Sequence, residues 1–250
     1  MVKRQKIVIV MPARNNEKTV ERTYKDIPHG LVNGIIVNDN ASKDKTVDVA
    51  RKLGLKIIRQ KKDRGYGGAQ KALYSEALKQ NAHIIIMLHP DYQYDPTKIP
   101  ELIEPIVKGK RDVMLGSRML HNNALKGGMP LWRYIGNKVL TKIENIILGL
   151  NLSEYHTGLR AFSRKFLETI PYNLNSDDFV FDQELLIQAA AFNFKGKIGE
   201  IDIPTRYFKE ASSIKFMPAL KYGIDTLKGL LSYLLHKYKI KKSRNLITEP

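Results

Sequence analysis

Five short polar segments contain most of the side chains in this 250-residue sequence that could bind an anion, a metal ion or a nucleotide. They are rich in Asp, Asn, Arg, Gly and Ser, and they occupy residues 12–17, 38–46, 63–70, 89–96 and 116–118. Carboxylate and amide oxygens bind hard cations, and the guanidinium group of arginine binds phosphate. The segments therefore favour chemistry on a phosphorylated substrate.

The candidate metal ligands are Asp91 and Gln93, which lie two residues apart at the end of a predicted strand and are flanked by prolines. Oxygen ligands of these types are the ones that Mg²⁺ and Mn²⁺ prefer. His89 is a candidate third ligand. A carboxylate at the end of a strand often only forms a turn, and His89 could equally hydrogen-bond that turn. The spacing alone leaves both interpretations open.

A glycine-rich turn at Gly65, Gly67 and Gly68 leads into a predicted helix. Such a turn can present backbone N–H groups to a phosphate. Gln70 stands where a dinucleotide-binding fingerprint has its last glycine, and the turn follows the third strand rather than the first. The turn therefore fits either anion binding or close packing of the helix against its neighbours.

Alternating strand and helix patterns in the first half of the chain must position these segments. Strands are predicted at residues 7–11, 34–39, 55–59, 83–88 and 112–115. Continuous apolar strands separated by helices are typical of a mostly parallel sheet that is covered by helices on both faces. We therefore predict an α/β fold in which the five segments follow the carboxyl ends of the strands, where such sheets bind ligands.

The second half of the chain is less regular. Its patterns predict helices at 129–148 and 181–192 and a strand at 197–203. After Pro218, leucines and isoleucines recur at helical spacing, and a basic run follows. We predict a main domain over residues 1–215 and an amphipathic basic helical tail over 216–250. The tail could pack on the domain or lie on an anionic membrane surface.

Composition narrows the class of protein and of partner. The 42 Lys and Arg against 25 Asp and Glu give a formal net charge of +17, which favours nucleic acid, an anionic membrane or phosphorylated small molecules as partners. The absence of cysteine excludes disulfides and thiolate metal sites. No secretion signal or membrane-spanning run is apparent. We expect a cytoplasmic protein, with peripheral contact through the basic tail on the inner face of the cell membrane as the alternative.

The order of the polar segments resembles the family 2 inverting glycosyltransferases, which have the GT-A fold and include the dolichyl-phosphate mannose synthase group. The matching blocks are residues 12–17, 38–46, 89–93, 116–118 and 156–164. The resemblance covers about residues 6–215, and the ordered set of blocks is more specific than any one of them. Three positions depart from the family pattern: Arg14 replaces a tyrosine, Asn40 replaces a carboxylate, and His89 replaces the first Asp of the metal motif.

The resemblance implies roles on the donor side of a reaction. Residues 1–120 would form the nucleotide-binding half, and its binding residues would be Pro12, Arg14, Asn15, Asp39, Gly65, Gly67 and Gly68. Mg²⁺ or Mn²⁺ would be held by Asp91 with Gln93 and His89. Arg118 would stabilise the phosphate of the leaving group.

The resemblance also implies roles on the acceptor side, in residues 121–215. Asp182 would be the catalytic base for a hydroxyl acceptor. Contacts with the acceptor or its phosphate would come from Arg160, Arg206, Ser212 and Ser213.

The implied activity is transfer of a sugar from a UDP- or GDP-sugar to a polyprenyl phosphate or a saccharide. One alternative is a sugar-phosphate nucleotidyltransferase, although the Gly-x-Gly-x-Arg segment of those enzymes is missing after the first strand. Another is a basic nucleic-acid-binding module without catalysis. Because no helix-turn-helix, zinc-finger or RNP-type pattern is present, we expect no nucleic-acid partner.

Overall fold

A seven-stranded sheet forms the centre of the protein. The computed structural model describes residues 5–208 and 216–247. The strands are Ile7–Ala13 (β1), Gly34–Asp39 (β2), Lys56–Arg59 (β3), Ile84–Leu88 (β4), Val113–Ser117 (β5), Leu159–Ser163 (β6) and Ile198–Asp202 (β7). Their order is β3-β2-β1-β4-β6-β5-β7, and β6 runs antiparallel to both of its neighbours while the other pairs are parallel. The predicted mostly parallel α/β sheet is confirmed.

Nine α-helices are present in the described residues, with five short 3-10 helices between them. The α-helices are Val20–Lys25 (α1), Thr46–Lys52 (α2), Gly65–Lys79 (α3), Ile99–Val107 (α4), Asn123–Lys126 (α5), Leu131–Leu148 (α6), Arg164–Thr169 (α7), Phe181–Ala191 (α8) and Phe216–Lys237 (α9). The predicted helices over 129–148 and 181–192 match α6 and α8 to within two residues.

Apolar side chains fill the space on both faces of the sheet. Along β1, Val8 and Val10 belong to one buried cluster, while Ile7 and Ile9 belong to the other. Helices α3, α7, α8 and α9 contribute to the first cluster, and α2 and α4 contribute to the second. Since successive side chains of a strand point to opposite faces, burial of both faces explains why the strands read as continuous apolar runs.

The predicted C-terminal helix is present as α9, but it ends before the predicted boundary at residue 250. Helix α9 ends at Lys237, and Lys239 has a left-handed backbone with φ of +60° that reverses the chain. A 3-10 helix, Arg244–Leu246, then returns to the domain, where Leu246 is buried in the core. The sequence contains no local sign of this turn, so the predicted helical tail extended past residue 237.

Helix α9 packs against α6 and α8, so its inner face is part of the domain core. Across residues 5–208 and 216–247, no helix has the length and apolar composition required to cross a bilayer.

Candidate active site

Hydrogen bonds tie together the loops that follow the first three strands. Arg14, after β1, forms an ion pair with Asp63, which lies after β3. Asn40, after β2, donates its side-chain amide to the same carboxylate at 2.7 Å. The N–H of Gly65 donates to Asp63 at 2.8 Å. This bond, together with those from Asn40 and Arg14, lowers the pKa of Asp63. Asp63 is thus a carboxylate that holds the three loops at one edge of the sheet.

The residues predicted to contact the nucleotide base lie at this edge. Asp39, the last residue of β2, is buried and accepts a hydrogen bond from Ser42 N–H at 3.2 Å. Asn15 has a left-handed backbone with φ of +56°, and its side chain accepts from Lys43 N–H at 2.9 Å. The half-buried Pro12 pairs with the strand that carries Asp39. These contacts place the predicted base-binding residues together.

The glycine-rich turn packs against the loop before α8. The N–H groups of Gly67 and Gly68 donate to the carbonyl of Asp177 at 2.8 and 3.3 Å. A Cβ atom at Gly67 would lie 2.3 Å from the carbonyl oxygen of Ser176, and one at Gly65 would lie 2.2 Å from that of Asp177. The glycines therefore permit close packing, and the amides of Gly67 and Gly68 are occupied by protein rather than open to a phosphate. Of the two interpretations, anion binding and close packing of the helix, the structure matches close packing.

A hydrogen-bonded chain runs from His89 through Tyr66 to Asp182. The Tyr66 hydroxyl donates to a carboxylate oxygen of Asp182 at 2.8 Å and lies 2.6 Å from Nε2 of His89. Burial, followed by the negative charge of Asp182, raises the pKa of Tyr66 well above its ordinary value. Burial also lowers the pKa of His89. Tyr66 is therefore a protonated donor, and His89 is a neutral imidazole.

His89 is placed differently from the expected metal ligand. Nε2 is bound to Tyr66, and Nδ1 faces Gly158, where an added Cβ would lie only 2.7 Å away. The backbone N–H of His89 donates to the Gly158 carbonyl at 3.1 Å. Because both ring nitrogens face protein, the expectation that His89 ligates a metal is corrected: the ring connects the end of β4 to α3 and to the loop before β6.

Asp182, the predicted base, lies in the first turn of α8 with its carboxylate fully engaged. Gln70 donates to its Oδ1 at 2.7 Å, and Tyr66 donates to its Oδ2. Tyr74 in turn donates to the side-chain oxygen of Gln70. The carboxylate thus closes a buried polar network between α3 and α8.

Arg160 belongs to this network and not to a surface that an acceptor could reach. Its side chain is fully buried, and it donates to the carbonyls of Thr157, Tyr155 and Asp182, each at 2.9 Å. It also lies 3.4 Å from the Asp182 carboxylate. The prediction that Arg160 contacts the acceptor is corrected, because a fully buried guanidinium held by three carbonyls instead balances the charge of Asp182.

Asp91 and Gln93 remain the candidates for a metal ion. Asp91 is buried, which raises the pKa of its carboxyl group, and its Oδ1 accepts from the backbone N–H of Gln93 at 3.1 Å. In the part of the chain that the structure describes, no three His, Cys, Asp or Glu side chains are grouped so as to hold a metal ion. One buried carboxylate suits a cation that arrives with phosphate ligands of its own, as Mg²⁺ commonly does.

Arg118, predicted to meet the leaving phosphate, is held by protein groups. Its guanidinium forms a buried ion pair with Glu154, and it donates to the His156 carbonyl at 2.6 Å and the Tyr207 hydroxyl at 2.9 Å. It also lies over the ring of Tyr94, 5.4 Å from the centroid. These partners use all three guanidinium nitrogens. Arg118 therefore acts as a brace that joins the end of β5 to the loop before β6, and it contacts the loop of residues 89–96, here called the metal loop, through Tyr94.

Arg206 reaches the metal loop from the segment after β7. Its guanidinium lies over the ring of Tyr92, 4.7 Å from the centroid, and 3.3 Å from the carboxylate of Asp95. Because it is partly exposed, it is the arginine of the predicted acceptor set that is placed to meet an anion from solvent. The other members of that set, Ser212 and Ser213, lie outside the described residues.

Three residues of the site were not assigned a role from the sequence. Tyr66 and Gln70 lie in the glycine-rich segment, where Gln70 had stood out only as a departure from a glycine fingerprint. Glu154 lies in a stretch with no motif. The contacts that give these side chains their roles join residues 23 to 116 positions apart, which no local pattern reveals.

Comparison with known proteins finds a matching family and relatives. The family described as Glycosyl transferase family 2 matches residues 8–171. An uncharacterised protein of Methanocaldococcus jannaschii, MJ1222, is 34% identical over 212 residues, covering 85% of this chain and 86% of that protein. The UDP-N-acetylglucosamine–dolichyl-phosphate N-acetylglucosaminyltransferase of Methanococcus voltae is 28% identical over 218 residues, covering 80% and 86%.

A solved structure shares the fold. Glucosyl-3-phosphoglycerate synthase from Mycobacterium tuberculosis, crystallised with Mn²⁺, UDP-glucose and phosphoglyceric acid, has a TM-score of 0.69 at 20% identity. The alignment covers 92% of this chain and 79% of that one. At that identity the likeness shows the GT-A architecture.

Proposed function

Since the chain belongs to glycosyl transferase family 2, we propose that it transfers a sugar from a nucleoside diphosphate sugar, with inversion, to the phosphate of a polyprenyl phosphate. The observation that carries this proposal is that Asp39 ends β2 and Asp91 follows β4, which places both at the carboxyl edge of the parallel sheet. The Tyr66 hydroxyl connects Asp182 to His89, two residues before Asp91. The M. voltae relative supports both substrate classes, because its name specifies a UDP-sugar donor and a dolichyl-phosphate acceptor.

On the donor side, Asp39 would accept a hydrogen bond from the imide N–H of a uracil or guanine ring. Pro12 and Asn15 would line the same pocket, and Arg14 would close it from the exposed side through its ion pair with Asp63. Because Asp39 is buried at the end of β2, it is held in one position before the base arrives. Such preorganisation reduces the entropy that binding costs.

Asp91, with Gln93 beside it, would hold a divalent cation that enters with the donor diphosphate. When bound, that cation supplies Lewis-acid stabilisation of charge on the leaving group. The Mn²⁺ in the M. tuberculosis neighbour supports a metal of this kind. His89 would position the metal loop without contacting the cation, since its bond to Tyr66 fixes this first residue of the loop.

Transfer would be a single displacement. A phosphate oxygen of the acceptor bonds to the anomeric carbon while the bond from that carbon to the diphosphate oxygen breaks, and the nucleoside diphosphate leaves. A lipid phosphate is already ionised near neutral pH, so this reaction needs no general base. Asp182 would then position Tyr66 and Gln70, whereas a saccharide hydroxyl acceptor would need Asp182 to take a proton.

Asp91→Asn tests the proposal. We expect kcat/KM to fall by about a hundredfold or more, because one stabilising group for the leaving oxygen is lost. Thermal stability should hold or rise, since the buried charge disappears. Turnover is measured with a panel of UDP- and GDP-sugars and a short polyprenyl phosphate, with and without Mn²⁺. The matched control is Asp48→Asn on the exposed face of α2. An Asp91→Asn variant with wild-type kinetics contradicts the metal role.

We further propose that α6 and α9 form a docking face for an anionic membrane, where a polyprenyl phosphate would reside. Helix α6 turns polar side chains inward and apolar side chains outward, because its buried positions include Asn137, Thr141 and Glu144. The outward apolar side chains of the two helices, here called the docking face, are Leu131, Ile135, Val139, Ile146, Leu220, Ile224, Leu227 and Leu231. Because α6 packs against α9, these side chains lie on two adjacent helices, and an exposed apolar surface of this kind marks an interaction site.

Charge supports a lipid partner for the docking face. Exposed lysines on the same two helices include Lys138, Lys142, Lys221 and Lys228. An apolar stripe flanked by lysines suits a helix that lies in the interface of an anionic bilayer. Lys221 and Lys228 are ion-paired with Asp225, so the attraction of about 1 kcal/mol per lysine near the surface is expected from Lys138 and Lys142.

Val139→Gln tests the docking face. This residue is 53% exposed, so the change should leave folding intact while weakening sedimentation with phosphatidylglycerol-containing vesicles several-fold. Val107→Gln, at a 47% exposed position on α4, is the matched control and should bind as the wild type does. Equal loss of binding in both variants would contradict the assignment of this face.

A further inference from the structure

A basic pocket lies between the C-terminal half of α9 and the segment that returns along it. Its volume is about 350 Å³, and its lining includes four cations, Lys228, Lys241, Lys242 and Arg244, around Leu231 and Leu235. None of the residues predicted to bind donor, metal or acceptor lines this pocket. It is therefore separate from the candidate active site.

The fold builds this pocket and holds its two walls together. The N–H groups of Ile240 and Lys241 donate to the carbonyl of Leu235, at 2.9 and 3.1 Å, and so close the turn after α9. Beyond the turn, the carbonyl of Asn245 accepts from Gln188 of α8 at 2.8 Å. With Leu246 buried in the core, the returning segment is fixed at both ends.

Three of the four pocket cations have no ion-pair partner among the described residues. Lys228 has an ion-pair partner in Asp225 at 3.3 Å. Within residues 5–208 and 216–247, no carboxylate pairs with Lys241, Lys242 or Arg244. Three unpaired cations in one concavity repel one another and favour an anion, and the forked guanidinium of arginine matches a phosphate group.

The apolar part of the pocket indicates the class of anion. Leu231 lines the pocket and is also the last member of the docking face. A ligand that fills the cavity therefore meets both the cations and an apolar side chain of the docking face. We propose that the pocket binds the phosphate-bearing headgroup of an anionic membrane lipid, a second lipid site apart from that of sugar transfer. This inference rests on the membrane docking proposed above.

The test compares two double variants of the full chain in vesicle sedimentation. K241Q/K242Q removes two pocket cations, and K108Q/K110Q removes two exposed lysines after α4 with the same change in net charge. With phosphatidylcholine vesicles that contain phosphatidylglycerol, we expect K241Q/K242Q to bind about thirtyfold more weakly, because each lysine near the surface contributes about fivefold. The control should bind within about twofold of the wild type.

A second arm replaces phosphatidylglycerol with oleate at equal vesicle charge. The wild type should prefer the phosphate lipid, and K241Q/K242Q should lose that preference. Equal weakening of both double variants, or no preference in the wild type, overturns the proposal. Release by inorganic phosphate but not by chloride at equal ionic strength is expected, because both phosphate groups would occupy the pocket. Thermal stabilisation by inorganic phosphate without vesicle binding assigns the pocket to free phosphate, and DNA retention without vesicle binding assigns it to nucleic acid. Either of these two results overturns the proposal.

UDP-dependent thermal shifts on the same samples keep the two proposals distinguishable. A wild type that binds vesicles but no nucleoside diphosphate would refute the sugar-transfer proposal and leave the pocket standing. Normal UDP binding with unchanged vesicle binding in K241Q/K242Q would refute the pocket proposal and leave the sugar-transfer proposal standing.

Discussion

The Tyr66 hydroxyl carries one proton and has two partners, which fixes the direction of both hydrogen bonds. A carboxylate accepts only, so the proton points to Asp182, and Nε2 of His89 must carry the hydrogen that points to Tyr66. His89 is therefore the Nε2–H tautomer. Through these bonds the carboxylate on α8 determines how the first residue of the metal loop is oriented.

Tyr66→Phe separates the two acceptor classes. With a phosphate acceptor, the hydroxyl only orients the loop that carries Asp91, so we expect the KM for donor and metal to rise about tenfold while kcat changes little. Tyr24→Phe on α1 is the control. Steady-state kinetics across donor and Mn²⁺ concentrations give both constants. A fall in kcat of about 10²-fold or more would instead indicate proton transfer towards Asp182 and a hydroxyl acceptor.

The same network makes Asp182→Asn a less informative change. The asparagine NH₂ group would face the donors of Tyr66 or Gln70, and a buried donor without an acceptor costs about 1–3 kcal/mol. Loss of activity in that variant would not distinguish a missing base from a distorted α8. Tyr66→Phe keeps the Asp182 charge, its Gln70 bond and its neighbour Arg160.

Among the helices, α6 and α9 are joined to the rest of the domain by a buried polar contact at His156. Glu144 of α6 is fully buried, and its carboxylate lies 3.1 Å from Nε2 of His156. The other ring nitrogen of His156 lies 2.7 Å from the hydroxyl of Tyr222 on α9. The carbonyl of His156 accepts from Arg118. One histidine thus connects the two helices of the docking face to the Arg118 brace.

A double-mutant cycle measures this contact. His156→Phe alone leaves the Glu144 side chain buried without its nearest polar neighbour and should lower the free energy of unfolding by about 1–3 kcal/mol. Glu144→Leu combined with His156→Phe removes both polar groups, and it should cost clearly less than the single change. Urea denaturation gives the four stabilities. Additive losses would show that the two side chains do not interact.

Over the whole molecule, local sequence patterns predict the strands and loops that depend on neighbouring residues in the chain. The apolar runs of β1, β2 and β4 specify buried parallel strands, and the polar loops after them mark the site. The insertion of β6 between β4 and β5 is different, because its pairing of Leu88 with Leu159 spans 71 positions. Roles that depend on such distant contacts, including the burial of Arg160 and the binding of His89 by Tyr66, follow from the tertiary fold and carry no local signal.

Helix α9 serves the molecule in two ways, and adjacent leucines separate them. Leu230 is 1% exposed and packs in the core, whereas Leu231 is 56% exposed on the docking face. Leu230→Ala should destabilise the protein by about 2–5 kcal/mol, because it leaves a cavity, and should leave the vesicle affinity of the folded protein unchanged. Leu231→Ala should change stability by no more than about 0.5 kcal/mol and weaken vesicle binding. Thermal unfolding and vesicle sedimentation, measured on both variants, give this crossed result. If instead both substitutions weaken vesicle binding only in proportion to lost stability, α9 is a purely structural helix and the docking face has no lipid partner.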